Sequence, residues 1–282
     1  MQPISRMSWL GVLPWFGFTL LFLIAPMSYL ILGAFQSPEG GLTLANMAGL
    51  SAPDIAASFW LSIRLSLASA LVGTVTGLLL AHAVVLGGLP IWLRRAITAF
   101  CGVASNFAGV PLAFAFIATL GRLGLVTVLL KSLGLDLYAM GFSLFSFWGL
   151  TLTYLYFQMP LMLLVITPAL EGLRPEWREA AESLGADGAQ YWLRVGAPVL
   201  APSVLGCFLL LFANAFGTLA TIIALTGSNF SVVPILLFQQ IRGNVLYNPN
   251  LGYALALGMV LIMVVSNLLY LALRARAERW QK

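Results

Sequence analysis

The sequence predicts an all-α integral membrane protein in which six helices cross the bilayer. Three observations carry that expectation. Only 8% of the 282 residues are charged and 61% are hydrophobic, at a mean hydropathy of +0.98, whereas average chains are about 25% charged. Uncharged apolar runs repeatedly reach the about 20 residues needed to span a bilayer. Between those runs lie short stretches rich in Gly and Pro or in charge, such as "SPEGGLTLANMAGLSAPD", "LGGLPIWLRR" and "TGSNFSVVP".

The spans are placed at about 9–35, 60–86, 97–120, 142–170, 198–225 and 251–273, together forming one membrane domain over 1–282. Arg6 followed by an apolar run resembles the start of a signal peptide, but the run 9–35 is far longer than the roughly 7–15 residues of such a core. It is therefore expected to stay as the first span. Cys101 and Cys207 both lie in apolar segments and say nothing about a disulfide framework. The net charge of +5 comes without a compact basic patch interleaved with aromatics, which argues against nucleic acid and for a membrane protein with basic cytoplasmic edges.

Six spans put both termini on one side, and the distribution of Lys and Arg selects that side. Arg6, Arg94, Arg95, Arg174, Arg178, Arg194, Arg274, Arg276, Arg279 and Lys282 fall on it; Arg122, Lys131, Arg242 and, near its edge, Arg64 fall on the other. Both termini are thus expected in the cytoplasm, with the connection between the fourth and fifth spans.

Some spans are poorly suited to be plain lipid-facing rods. The third holds Asn106, Gly109 and Pro111, the fourth Gln158 and Pro160, the fifth Asn214 and Gly217. Such residues are tolerated at membrane depth where neighbouring helices or a wet cavity satisfy the freed backbone groups; ordinary close packing of small residues is the competing explanation. Asn106, Gln158, Asn214 and Thr218 are the candidates for lining a central path. Spans two to six hold no Asp or Glu in their apolar cores, and the one His, His82, lies near a span end, where interfacial packing accounts for it. Ion-coupled transport places ionisable groups at membrane depth, so an ion-gradient-driven secondary transporter is disfavoured. A membrane enzyme lacks a nucleophile–base pair, and a metalloenzyme lacks ligands.

The acids are concentrated elsewhere. Glu171, Glu176, Glu179, Glu182 and Asp187 are five of the nine in the chain. Pro175 suits a first helical position, Glu176 and Glu179 complement the helix dipole, Arg178 and Glu182 can pair across one turn, and Gly185 stops the helix. Asp187 with Gln190 forms the pattern of a capping box opening a second short helix. A helix this short must dock to be stable, and Trp177, Ala181 and Leu184 make one apolar stripe. Docking on a soluble partner and packing on the chain's own bundle both remain open.

The stretch resembles the EAA loop of the permease subunits of ATP-binding-cassette (ABC) importers: Glu179, Ala180 and Ala181, then Gly185, then, after nine intervening residues, Val195, Gly196, Ala197 and Pro198. Val195 stands for the family's Ile and Ala197 departs from its Leu. The similarity in layout runs from about residue 60 to the C-terminus. It implies a type I importer permease fold, an inner-membrane component of a binding-protein-dependent transport system, and a coupling loop over 171–197 in which Glu179, Ala180, Ala181, Leu184, Gly185, Asp187 and Pro198 take part. It implies as partners ABC ATPase subunits that bind ATP and Mg, a second permease, and an extracytoplasmic binding protein. The chain carries no G-x-x-x-x-G-K-[ST] phosphate loop, so it is expected to hold no cofactor of its own and not to be an enzyme. "SNFAGVPLAFAF", "FANAFGTLATIIALTG" and "LGYALALGMVLIMV" look most like the polyamine, ferric-iron and phosphonate branch, with polyamines such as putrescine or spermidine as the expected cargo.

Overall fold

A computed structural model describes residues 6–37, 39–227, 230–242 and 249–278; Arg279 and Lys282, counted above for the charge bias, lie outside them. The described chain is all-helical apart from an isolated bridge between Gln36 and Leu42. Six helical segments are long and apolar enough to cross a membrane: Val12–Ala34, Pro53–Leu86, Val110–Ser132, Phe147–Glu171, Gly188–Phe216 and Asn250–Leu273. The chain divides into two compact units, one from 1–59 with 236–262 and one from 60–235 with 263–282.

In the first unit, α1 (Arg6–Thr19) passes through a widened turn, Leu20–Ile24, into α2 (Ala25–Ala34), and α3 (Ala45–Gly49) follows. Ala34, Ala254 and Leu257 are buried together. Gly33 explains the close approach: a Cβ there would stand 2.3 Å from the Tyr253 ring, so only a residue without a side chain lets the helices meet. Most of the first span is bare, with only 6% of its apolar window buried, as expected of a helix solvated by lipid.

The second unit is built around α8 (Phe147–Glu171), whose apolar window is 61% buried. Against it packs α4 (Pro53–Leu86), which starts seven residues before the predicted second span. Pro53 and Asp54 in its first turn explain the early start. Ser62, Ser66 and Ser69 of α4 are buried, and Gly73 and Gly77 follow at helical spacing. A Cβ on Gly77 would meet Met162 at 2.5 Å and the Met159 carbonyl at 2.8 Å; one on Gly73 would meet Gln158 at 2.7 Å. This stripe of small residues brings two long helices into contact where lipid supplies no hydrophobic drive of its own. Leu65, Leu112, Leu150, Tyr154, Phe157, Ala215 and Ile222 close the core around them.

The third predicted span is not one helix. Residues 97–120 divide into α5 (Ile91–Ala104), a turn, and α6 (Val110–Leu120), and a short connection leads to α7 (Leu125–Ser132). The membrane-length segment is therefore Val110–Ser132, shifted along the chain. Gly109, at φ +74, takes a left-handed conformation that breaks the helix, and Pro111 restarts it. The fifth predicted span is shifted too: the apolar segment begins at Gly188 and breaks after α11 (Ala197–Phe216), with α12 (Ala220–Thr226) as a separate piece. After it come α13 (Val233–Arg242), a helix the apolar-run count does not anticipate, and α14 (Pro249–Glu278).

The α4–α8 contact generates a prediction. Gly77→Val should lower stability by about 1–3 kcal/mol by overpacking, seen as an earlier melting transition in detergent. Gly17→Ala, whose added Cβ meets nothing within 4 Å, should leave the transition where it is.

Candidate functional site

The acidic segment folds as its local signals dictate. Arg174 is extended, at ψ 128, and α9 (Pro175–Ser183) starts at Pro175 with Glu176 in its first turn. Arg178 Nε donates to Glu182 Oε1 at 2.9 Å across one turn. At the other end the Ala186 N–H reaches the Ala181 carbonyl at 3.0 Å and the Gly185 N–H the Glu182 carbonyl at 2.9 Å. Gly185 is left-handed, at φ +80. This is a Schellman stop, which glycine allows without strain. Asp187 then accepts from the Gln190 amide at 2.7 Å, while Gln190 Oε1 accepts from the Asp187 amide at 3.2 Å, a complete capping box.

Beyond the box the structure corrects the sequence reading. The second helix does not end in the loop. Its first turns, α10 (Gly188–Tyr191), continue through a widened turn, Trp192–Gly196, into α11. The Ala197 N–H bonds to the Trp192 carbonyl five residues back, and Pro198 comes next. Proline lacks an N–H and its ring collides with the carbonyl four residues earlier; the wide turn relieves both problems without ending the helix. Pro198 is thus an early residue inside a continuous segment. Buried Tyr191 and half-buried Trp192 anchor this end, and the Trp192 ring lies 5.1 Å from that of His82, so His82 is packed against an aromatic neighbour.

No residue of α9 is buried. Glu179, Ala180, Gly185 and Asp187 are exposed and Ala181 is half-buried. Trp177 is 36% and Leu184 89% exposed, so the stripe is partly covered at Trp177 and Ala181 and bare at Leu184. The Arg174 guanidinium lies 6.0 Å over the Trp177 ring. At the base of the loop Glu171, the last residue of α8, accepts from Arg94 of α5. A cleft of about 610 Å³ opens there, lined by Arg94, Arg95, Thr98 and Thr167.

The four path candidates do not share one environment. Asn106 is exposed in the turn between α5 and α6 and donates to the Gly102 carbonyl at 2.9 Å. Asn214 is exposed near the end of α11, and Thr218, in the break after it, donates to the Asn214 carbonyl at 2.6 Å. Gln158 differs: it is fully buried, donates to Ser69 Oγ at 3.2 Å, and joins α8 to α4. Gly73 leaves room for it between the helices, and its Oε1 is buried without a hydrogen-bond partner. The two breaks meet. The Gly109 N–H donates to Thr221 Oγ1 of α12 at 2.8 Å. Spacing within either span does not reveal this link, although Gly109, Pro111 and Gly217 mark that each helix is interrupted.

No protein-family model matches the chain. Among curated relatives, it is 25% identical over 230 residues to the probable sulfate transport system permease protein cysT of Nephroselmis olivacea, covering 79% of this chain and 77% of that one. It is 26% identical over 201 residues to the thiamine transport system permease protein ThiP of Escherichia coli K12, covering 71% of this chain and 35% of ThiP. A crystal structure of a bacterial ABC transporter involved in importing the acidic polysaccharide alginate matches with a TM-score of 0.74 at 17% identity, over 96% of this chain and 95% of that one. The fold is thus that of ABC importer permeases, and the chain is a multi-pass protein of the inner membrane. The polyamine expectation gains no support: the named cargoes are sulfate and thiamine. It rested on overall likeness, with no side chain whose chemistry selects a polyamine.

The loop geometry predicts unequal effects of two substitutions. Asp187→Ala should cost about 1 kcal/mol and speed hydrogen exchange at the Gln190 amide. Arg178→Ala removes an exposed i,i+4 pair worth only about 0.3–0.5 kcal/mol, so exchange in α9 should change little.

Proposed function

We propose that this chain is the transmembrane permease subunit of an ATP-driven ABC importer, one membrane domain forming half of a translocation path. The segment 171–197 is its coupling loop, seated in a cleft of a separate ATPase subunit that binds ATP and Mg. A second permease, identical or a paralogue, completes the path, and an extracytoplasmic binding protein delivers the cargo. Both termini lie in the cytoplasm.

The observation that carries this reading is the state of α9. It is a short helix with a Schellman stop on one side and a capping box beyond it, so its ends are fixed, yet none of its residues is buried and Leu184 beside it is left uncovered. A capped element with apolar surface left bare is built to be covered by something else. Glu179, Ala180, Ala181 and Gly185 stand at the spacing of the EAA loop, and the fold agrees. Closure of two ATPase subunits would carry the loops with them and switch the path between inward-open and outward-open states as a rigid-body motion.

For the cargo, the reading favours a small solute of the kind named for the relatives, a sulfate-like oxyanion or thiamine. The support is their similarity over most of this chain. The rival from another class is an ion-gradient-driven secondary transporter. Uptake of labelled sulfate or thiamine by cells expressing the whole operon separates the two: the importer reading requires that ATP depletion stop uptake and that a protonophore with ATP maintained leave it intact.

Gly185 provides the sharpest test of the loop. A Cβ there meets nothing within 4 Å, and Asp tolerates the left-handed region better than most residues, so the backbone cost is about 1–2 kcal/mol at most. Gly185→Asp should therefore reach the membrane in normal amount but lose transport. Normal transport by this variant, or its failure to insert, would remove the coupling assignment.

A further inference from the structure

Arg94 and Glu171 are each placed against the electrostatics of their own helix. Arg94 lies near the N-terminus of α5, which starts at Ile91 after Pro90 and has no acid in its first turn. Glu171 is the last residue of α8, which has no base in its last turn. A cation at a helix N-terminus and an anion at a C-terminus both oppose the macrodipole. Neither placement is explained within its own helix. Together they are: Arg94 donates to Glu171 across 77 positions of sequence, each charge compensating the wrong-signed end on which the other stands. The side chains are 36% and 51% exposed, so solvent screens the pair and it contributes little to overall stability. Its location is more informative. On one side, only Gly172, Leu173 and Arg174 separate Glu171 from α9. On the other, α5 is an unbroken helix of 14 residues, roughly 21 Å long, and it ends at the turn 105–109 that interrupts the third span.

We infer that the Arg94–Glu171 pair is the joint through which movement of the exposed loop reaches the broken helix. This rests on the importer reading above. Pulling on α9 displaces Glu171, the carboxylate draws the guanidinium, and α5, being stiff, delivers the shift to the turn whose far edge Gly109 is bonded to Thr221. Arg94 and Glu171 are thus positioning residues: neither is assigned contact with cargo or nucleotide.

The experiment uses the complete transporter in lipid vesicles, with Cys101→Ser and Cys207→Ser and a reporter at Ala108→Cys, an exposed position in the turn. The reporter is labelled with a water-soluble maleimide, with and without MgATP and vanadate. With the native pair, nucleotide changes the labelling rate. In Arg94→Glu and in Glu171→Arg that change should shrink about fivefold or more, while the ATPase still co-purifies in normal amount. The doubly exchanged protein, Arg94→Glu with Glu171→Arg, should recover it. A full nucleotide response in both single variants would overturn the joint, and so would a double exchange that stays unresponsive. Labelling that ignores nucleotide even with the native pair would overturn the importer reading, and the joint with it.

Discussion

In hydrocarbon a backbone N–H that leaves a helix has no water to turn to. A membrane helix can therefore be interrupted only where the protein itself supplies a partner. Thr221 Oγ1, which accepts from the Gly109 N–H, is such a partner. Thr221 is fully buried and belongs to α12, itself the remnant of a second interrupted span. Each break thus helps make the other tolerable. A single broken helix in lipid would be costly; two facing breaks, sharing a hydrogen bond, can be kept.

The surroundings follow from the same solvent. Because lipid is as apolar as leucine, helices do not gain by burying leucine against each other, and contact must come from close fit and hydrogen bonds. That is why α4 presents serines and glycines to α8, why Gln158 finds Ser69, and why Gly33 lies against a tyrosine ring. The large apolar side chains, by contrast, face outward on the first span. The helix α9 obeys the opposite rules because it lies outside the apolar segments: its ends are held by caps, Arg178 and Glu182 by a one-turn pair, and Leu184 beside it is uncovered.

What was legible in the sequence divides along the range of the interactions. The six apolar segments, the start at Pro175, the stop at Gly185, the capping box and the Arg178–Glu182 pair are all local, and spacing predicts them correctly. Breaks were half legible. Gly109, Pro111 and Gly217 flagged interruptions, but apolar residues continue on both sides, so the third and fifth spans were placed across them. The environment of Gln158 was not legible for a similar reason: an amide in a membrane helix looks the same in sequence whether it faces water or, beside a glycine on a neighbouring helix, a serine hydroxyl. Non-local links, Arg94 to Glu171 and Gly109 to Thr221, left no pattern at all. Cargo left none either: no side chain in the apolar segments carries a chemistry that singles out one solute.

The widened turn at Trp192–Gly196 is matched by the one at Leu20–Ile24, and in both a proline, Pro198 or Pro26, stands two residues further on. A turn bonded five residues back holds one residue more than an α-helix would. That extra residue acts as an angular offset, rotating everything on its far side by about 100° around the helix axis. The azimuth of α10 relative to α11 therefore carries a one-residue offset, a matter of chain length more than of side-chain identity.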